Sequence, residues 1–121
     1  MPSVINITEA FSRIKELEHP HIVANVNEFQ VKLSKLKGEF VWHSHKEEDE
    51  LFLVVKGQLN MKLRDGDVLV NEGEIICIPH GVEHCPVAED ETHVILFERA
   101  TTVNTGEVNN EKTKSASRLT T

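Results

Sequence analysis

Between Ile22 and Glu98, apolar and polar residues alternate with a period of two, in short runs separated by Gly, Asp, Asn and Glu. Successive side chains on a strand point to opposite faces, so this period predicts β-structure. The predicted strands are residues 22–27, 29–36, 39–45, 51–56, 58–63, 68–70, 75–78, 84–87 and 92–98. Phe29, Val31 and Leu33 share one face of the second strand, and Gln30, Lys32 and Ser34 the other. Leu59, Met61 and Leu63 line one side of the fifth. Residues 51–56 are almost wholly apolar, as expected where both faces are covered. Asp65-Gly66 is a hairpin signal, and Asn71-Glu72-Gly73 and Glu89-Asp90-Glu91 mark further turns. Many short, evenly spaced strands predict an all-β sandwich or small barrel.

The period differs at both ends. Phe11, Ile14 and Leu17 are spaced for one helix face, which predicts a helix over 9–17 capped by Thr8, after a short strand at 4–7. After Arg99 the chain turns to Thr, Asn, Lys, Ser and Glu without an apolar period, and such a segment cannot fold alone. Residues 1–100 are therefore expected to form one domain. Residues 101–121 are expected to form a polar arm, part of it lying on the barrel or a neighbour and its end mobile.

Composition narrows the partners. The net charge of -7 argues against nucleic acid and anionic membrane, and one Trp with no Tyr leaves few stacking platforms for single strands. No apolar run approaches ~20 residues, and the first ten residues lack the pattern of a secretory leader. The expectation is a soluble cytoplasmic protein. Cys77 and Cys85 are too few for a disulfide framework and are expected to be reduced, largely buried thiols.

The chemistry lies in residues 38–57, GEFVWHSHKEEDELFLVVKG. His43 and His45, two apart, share a face, and Val41 lies beneath them. Glu50 follows a polar turn at 46–49 and heads the row Glu50, Phe52, Val54. Two imidazoles and a carboxylate over an apolar cavity suit a divalent first-row metal. A second stretch, residues 73–84, reads GEIICIPHGVEH; Pro79 and Gly81 set a tight reversal, and His84 can supply a fourth ligand. His19-Pro20-His21 is also an HxH, but Pro interrupts it and no carboxylate follows at a useful spacing. His80 reads as an exposed turn residue, Glu47, Glu48 and Asp49 as a solvated turn, and Trp42 as outer-sheet packing.

Together the two stretches resemble the paired motifs of the cupin superfamily, G-x(4–5)-HxH-x(3–4)-E-x6-G and G-x5-PxGxxH-x3-N. Ala88 departs from the pattern, standing where the second motif ends in Asn. The resemblance implies a double-stranded β-helix, or jelly-roll barrel, with the short helix outside it. It also implies one divalent ion per chain on His43, His45, Glu50 and His84. With no thiolate in the set, Mn(II), Fe(II) or Ni(II) is favoured over Zn(II).

Small cupins of this kind resemble mannose-6-phosphate-isomerase-like proteins. That implies isomerisation of a sugar or sugar phosphate through a metal-stabilised enediolate, with an inward acid or histidine as base. His93 is the first candidate for that proton transfer. The same ligands equally suit an Fe(II) or Ni(II) dioxygenase, or a cupin that binds a small molecule without turnover. Cupin barrels commonly pair, so a homodimer is expected.

Overall fold

A computed structural model of the protein describes residues 2–119. Helix α1 (Ile7–Ser12) is followed by β1 (His21–Val26), β2 (Phe29–Glu39), β3 (Glu50–Lys56) and β4 (Gln58–Leu63). Then come β5 (Gly66–Asn71), β6 (Ile75–Ile78), β7 (His84–Arg99) and β8 (Ser117–Arg118). The strand order is β5-β4-β7-β2-β1-β8, with β3 joined to both β6 and β7. Strand β7 is the spine: β2 pairs along its length, while β4 takes residues 84–87 and β3 takes residues 93–98 of its other edge.

The sheet curls into a β-barrel around Phe52, Val54, Leu59, Met61, Val70, Ile78, Val94 and Leu96. A second, smaller core lies outside it, where Ala10, Phe11 and Ile14 cover Leu33. On β2 the polar row faces inward: Lys32 and Ser34 are buried, and Lys32 Nζ donates to Glu98 Oε1 at 3.1 Å. Leu33, from the apolar row, faces the helix.

Three local expectations are corrected. Residues 4–7 form no strand; the helix begins at Ile7, because the Asn6 side chain accepts the Glu9 N–H at 2.9 Å and caps it two residues earlier than expected. It also ends at Ser12, and Leu17 stays partly exposed beyond it. Residues 39–45 are not a full strand: β2 stops at Glu39, and only His43 makes a bridge, to His84. Residues 84–99 are one continuous strand, with no turn at Glu89–Glu91. There, three residues of β7 stand opposite Lys37 alone, between the pairs Gly38↔Ala88 and Leu36↔Thr92. Such a bulge bends a ribbon without ending it.

The polar arm folds back over this frame. Thr102 and Thr105 are buried, and β8 lies parallel to β1. Glu107 N–H donates to the Ser44 carbonyl at 3.1 Å, and Lys112 Nζ to the Glu39 carbonyl at 2.7 Å. Residues 120 and 121, where a mobile end was expected, lie outside the described residues. Gly106 has φ +58, and a Cβ there would overlap the Ser44 carbonyl oxygen. Gly106→Ala should destabilise the protein by about 2 kcal/mol or more, read by thermal unfolding against wild type.

Candidate metal centre

Backbone hydrogen bonds bring the two motif stretches together. His43 N–H donates to the His84 carbonyl at 3.0 Å, and His84 N–H returns to the His43 carbonyl at 2.9 Å. Gly81, at φ +82 in the reversal after Pro79, donates its N–H to the His45 carbonyl at 2.7 Å. Asp49 Oδ1 braces the same turn, accepting from His80 N–H at 2.8 Å. Glu50 enters from the first position of β3, where Phe52 and Val54 continue its inward row.

One donor atom each from His43, His45, Glu50 and His84 lies within 4.8 Å of the others, and all four residues are buried. The His43 and His84 ring centroids are 4.2 Å apart, those of His43 and His45 5.1 Å. His43 donates Nδ1–H to the Val41 carbonyl at 2.8 Å and His84 donates Nδ1–H to the Val82 carbonyl at 2.9 Å, each two residues back. A carbonyl only accepts, so each neutral ring is left with its lone pair on Nε2. His84 Nε2 then stands 3.3 Å from Glu50 Oε1, and His45 Nε2 stands 3.2 Å from the same oxygen, buried and without a properly directed hydrogen bond. Lone pairs crowded on a buried carboxylate oxygen call for a cation among them. The residues present fit a divalent ion.

The electrostatics agree. Burial, then the neighbouring His84, pushes His43 down to about 4, so the ring is neutral and able to ligate at neutral pH. Burial acts to raise Glu50, but the adjoining His45 and His84 rings outweigh it and hold the carboxyl well below the usual range. Glu98, opposite Glu50 across β3 and β7, goes the other way. Burial and the Glu50 charge push it well above the usual range, with Lys32 opposing. Beside the ligands a small cavity is walled by Leu36, Phe40, Phe52 and Leu96; Glu98 and Asn104 also line it.

The Cupin domain family matches residues 29–98. The chain belongs to the cupin family. Protein YdbB of Bacillus subtilis (strain 168) is 31% identical over 85 residues, covering 69% of this cupin and 75% of YdbB. A cupin-2 domain containing protein from Shewanella frigidimarina is 41% identical with a TM-score of 0.78, covering 79% of this chain and 94% of that one. Protein NMB1881 from Neisseria meningitidis is 33% identical with a TM-score of 0.74, covering 80% and 99%. The curled sheet described above is thus the cupin β-barrel, and its buried His43, His45, Glu50 and His84 could hold a metal ion. Among the described residues, no helix is long and apolar enough to cross a membrane.

The remaining expectations are sorted by position. The structure does not bring His93 to this cluster. Odd-numbered β7 residues point outward, and His93 stacks on Phe11 at 4.6 Å while pairing with Glu91 at 2.8 Å. His80 is exposed and paired with Asp49. Trp42 lies under the Arg64 guanidinium, 3.8 Å from its ring centroid. Cys85 is buried, whereas Cys77 is exposed, correcting the expectation of two buried thiols. Glu98 and Lys32 are the functional candidates that sequence reasoning missed. Glu98 ends the inward row Val94, Leu96, Glu98 just as Glu50 begins its own, which is the signal that could have found it.

Two outcomes follow for the ligands. His43→Ala/His45→Ala should abolish metal retention at this site, read by elemental analysis after desalting and compared with wild type. In chelator-treated protein, only the unfolded chain takes up the His43 proton between its ordinary pKa of 6.5 and its folded value of about 4, so this group's contribution to stability falls as pH drops through that window. Wild type should lose up to about 3 kcal/mol there relative to His43→Gln in denaturant titrations.

Proposed function

We propose that this cupin catalyses metal-assisted proton transfer, a keto–enol type of isomerisation, on a small uncharged hydroxy-carbonyl compound. The observation that carries the proposal is the position of Glu98: a buried carboxyl that lines the cavity directly opposite Glu50, where burial acts to raise it above the usual carboxylate range. A carboxyl with a raised pKa can both give and take a proton near neutral pH. His43, His45, Glu50 and His84 would hold the ion. A divalent ion so bound supplies charge stabilisation to adjacent substrate oxygens.

The rest is done by the chain. Lys32 anchors Glu98 Oε1 at 3.1 Å, and among the described residues no other donor reaches the buried Oε2, which as a protonated oxygen faces Glu50 and can pass its proton to substrate. Leu36, Phe40, Phe52 and Leu96 keep bulk water from the reacting carbon. The charge of the lining favours an uncharged sugar or hydroxy ketone over a sugar phosphate. Among the described residues three carboxyls, Glu18, Glu50 and Glu98, line the cavity and no Lys or Arg does. The neighbouring opening adds Glu47, Glu48 and Glu107 against a single cation, Lys46.

The test is deuterium uptake from D2O at carbon beside the carbonyl, screened by NMR across uncharged hydroxy ketones and aldoses under argon. Turnover should persist without oxygen. Glu98→Gln should lower it at least ~100-fold with metal content unchanged. Activity that stops under argon and consumes oxygen in air would replace this reading with a dioxygenase.

A further inference from the structure

A second cluster of metal-binding side chains lies away from the barrel interior, where the chain leaves the helix region and enters β1. Donor atoms of Glu16, His19 and His21 lie within 4.8 Å of one another. No carboxylate follows the His19-Pro20-His21 pair at a useful spacing, but one precedes it: the turn after α1 brings Glu16 Oε2 to 2.9 Å from His19 Nδ1.

Hydrogen bonding fixes which nitrogens remain for a ligand. His21 is nine-tenths buried and donates Nδ1–H to the His19 carbonyl at 2.7 Å, two residues back. His43 and His84 make the same contact with residues two back in the barrel site. His21 Nε2 keeps its lone pair and, among the described residues, has no partner. At His19, the Glu16 carboxylate beside Nδ1 and the Ser115 carbonyl 3.1 Å from Nε2 only accept, while Ser117 Oγ, also 3.1 Å from Nε2, can donate or accept. A neutral ring has one N–H and cannot serve both. The ring either donates Nδ1–H to Glu16 and accepts from the Ser117 hydroxyl at Nε2, or it turns Nε2–H to Ser115 and leaves its Nδ1 lone pair facing the carboxylate, where a cation would bridge the two.

We propose that Glu16, His19 Nδ1 and His21 Nε2 form a second metal site, for a zinc-class divalent cation. Two imidazoles and one carboxylate are a common zinc donor set and leave a fourth position for water. The two rings stand 4.7 Å apart between centroids, tilted by 40°, so small side-chain rotations bring their nitrogens to bonding distance. The site also has a structural role. His19 touches Ser115 and Ser117, and Ser117 and Leu119 N–H donate to the carbonyls of Pro20 and Ile22. An ion here fastens the end of the arm whose Asn104 lines the cavity and whose Glu107 binds the Ser44 carbonyl between two ligands of the first site.

Zinc itself is the probe. The full chain is loaded with Zn(II), desalted and counted by elemental analysis. Wild type should retain two ions per chain, His43→Ala/His45→Ala one, and Glu16→Gln one; the Glu16 side chain is 58% exposed, so its replacement leaves the fold intact. In parallel, zinc should slow hydrogen exchange at the Ser117 and Leu119 amides at least tenfold in wild type and leave them unchanged in Glu16→Gln. Equal zinc in wild type and Glu16→Gln, none in His43→Ala/His45→Ala, or arm exchange indifferent to zinc would overturn the proposal in favour of a His19–Glu16 ion pair.

Discussion

Two backbone hydrogen bonds between His43 and His84 hold the centre of this protein together. They join an irregular segment to the start of β7 and place two imidazoles with ring centroids 4.2 Å apart. Everything else in the site is arranged to make that approach tolerable. Carbonyls two residues back accept the Nδ1–H of each ring, so both present lone pairs inward. Glu50 supplies the negative charge, and the Pro79–Gly81 reversal fixes His45 from the other side. Four donors packed this closely without a cation would oppose one another, and the same closeness is what lets the cluster hold a metal ion.

The ligand set was legible because it depends on residue type and spacing: histidine, histidine and glutamate at 43, 45 and 50, then histidine at 84 after a Pro–Gly turn. The strand series was legible for a similar reason, since a one-sided burial pattern shows as a period of two. What stayed hidden has physical causes. On β7 the rows His93, Ile95, Phe97 and Val94, Leu96, Glu98 are equally apolar, because α1 covers part of the outer face as the core covers the inner one. Hydropathy could not tell them apart, and the choice of His93 followed. On β2 the inward row is the polar one, because Lys32 has a buried partner 66 positions away in sequence. The His19-Pro20-His21 pair was set aside for want of a following carboxylate, when the turn after α1 delivers the preceding one.

Lys32, Glu98 and Glu50 form a buried row of alternating character beside the ligands. With no ion on Glu50, one cation stands against two carboxyls, and burial and the Glu50 charge raise Glu98 while Glu50 is held low. A buried ion pair is weak evidence of a stabilising role. Here its Glu98 carboxyl lines the cavity beside the candidate metal centre, where an apolar core would need no charges.

Strand β7 begins with the ligand His84 and carries Glu98 next to its end. A straight strand of that length would separate the two by about 45 Å, yet both belong to the surroundings of Glu50. The bulge opposite Lys37 bends the ribbon so that its two ends meet, and even-numbered residues face inward on both sides of the bend. A one-residue insertion or deletion there would turn one end inside out, exposing either the metal ligand or the acid while leaving every strand in place. Lengthening this chain at its hairpins is therefore a change of shape; lengthening it at residues 89–91 by an odd number is a change of chemistry.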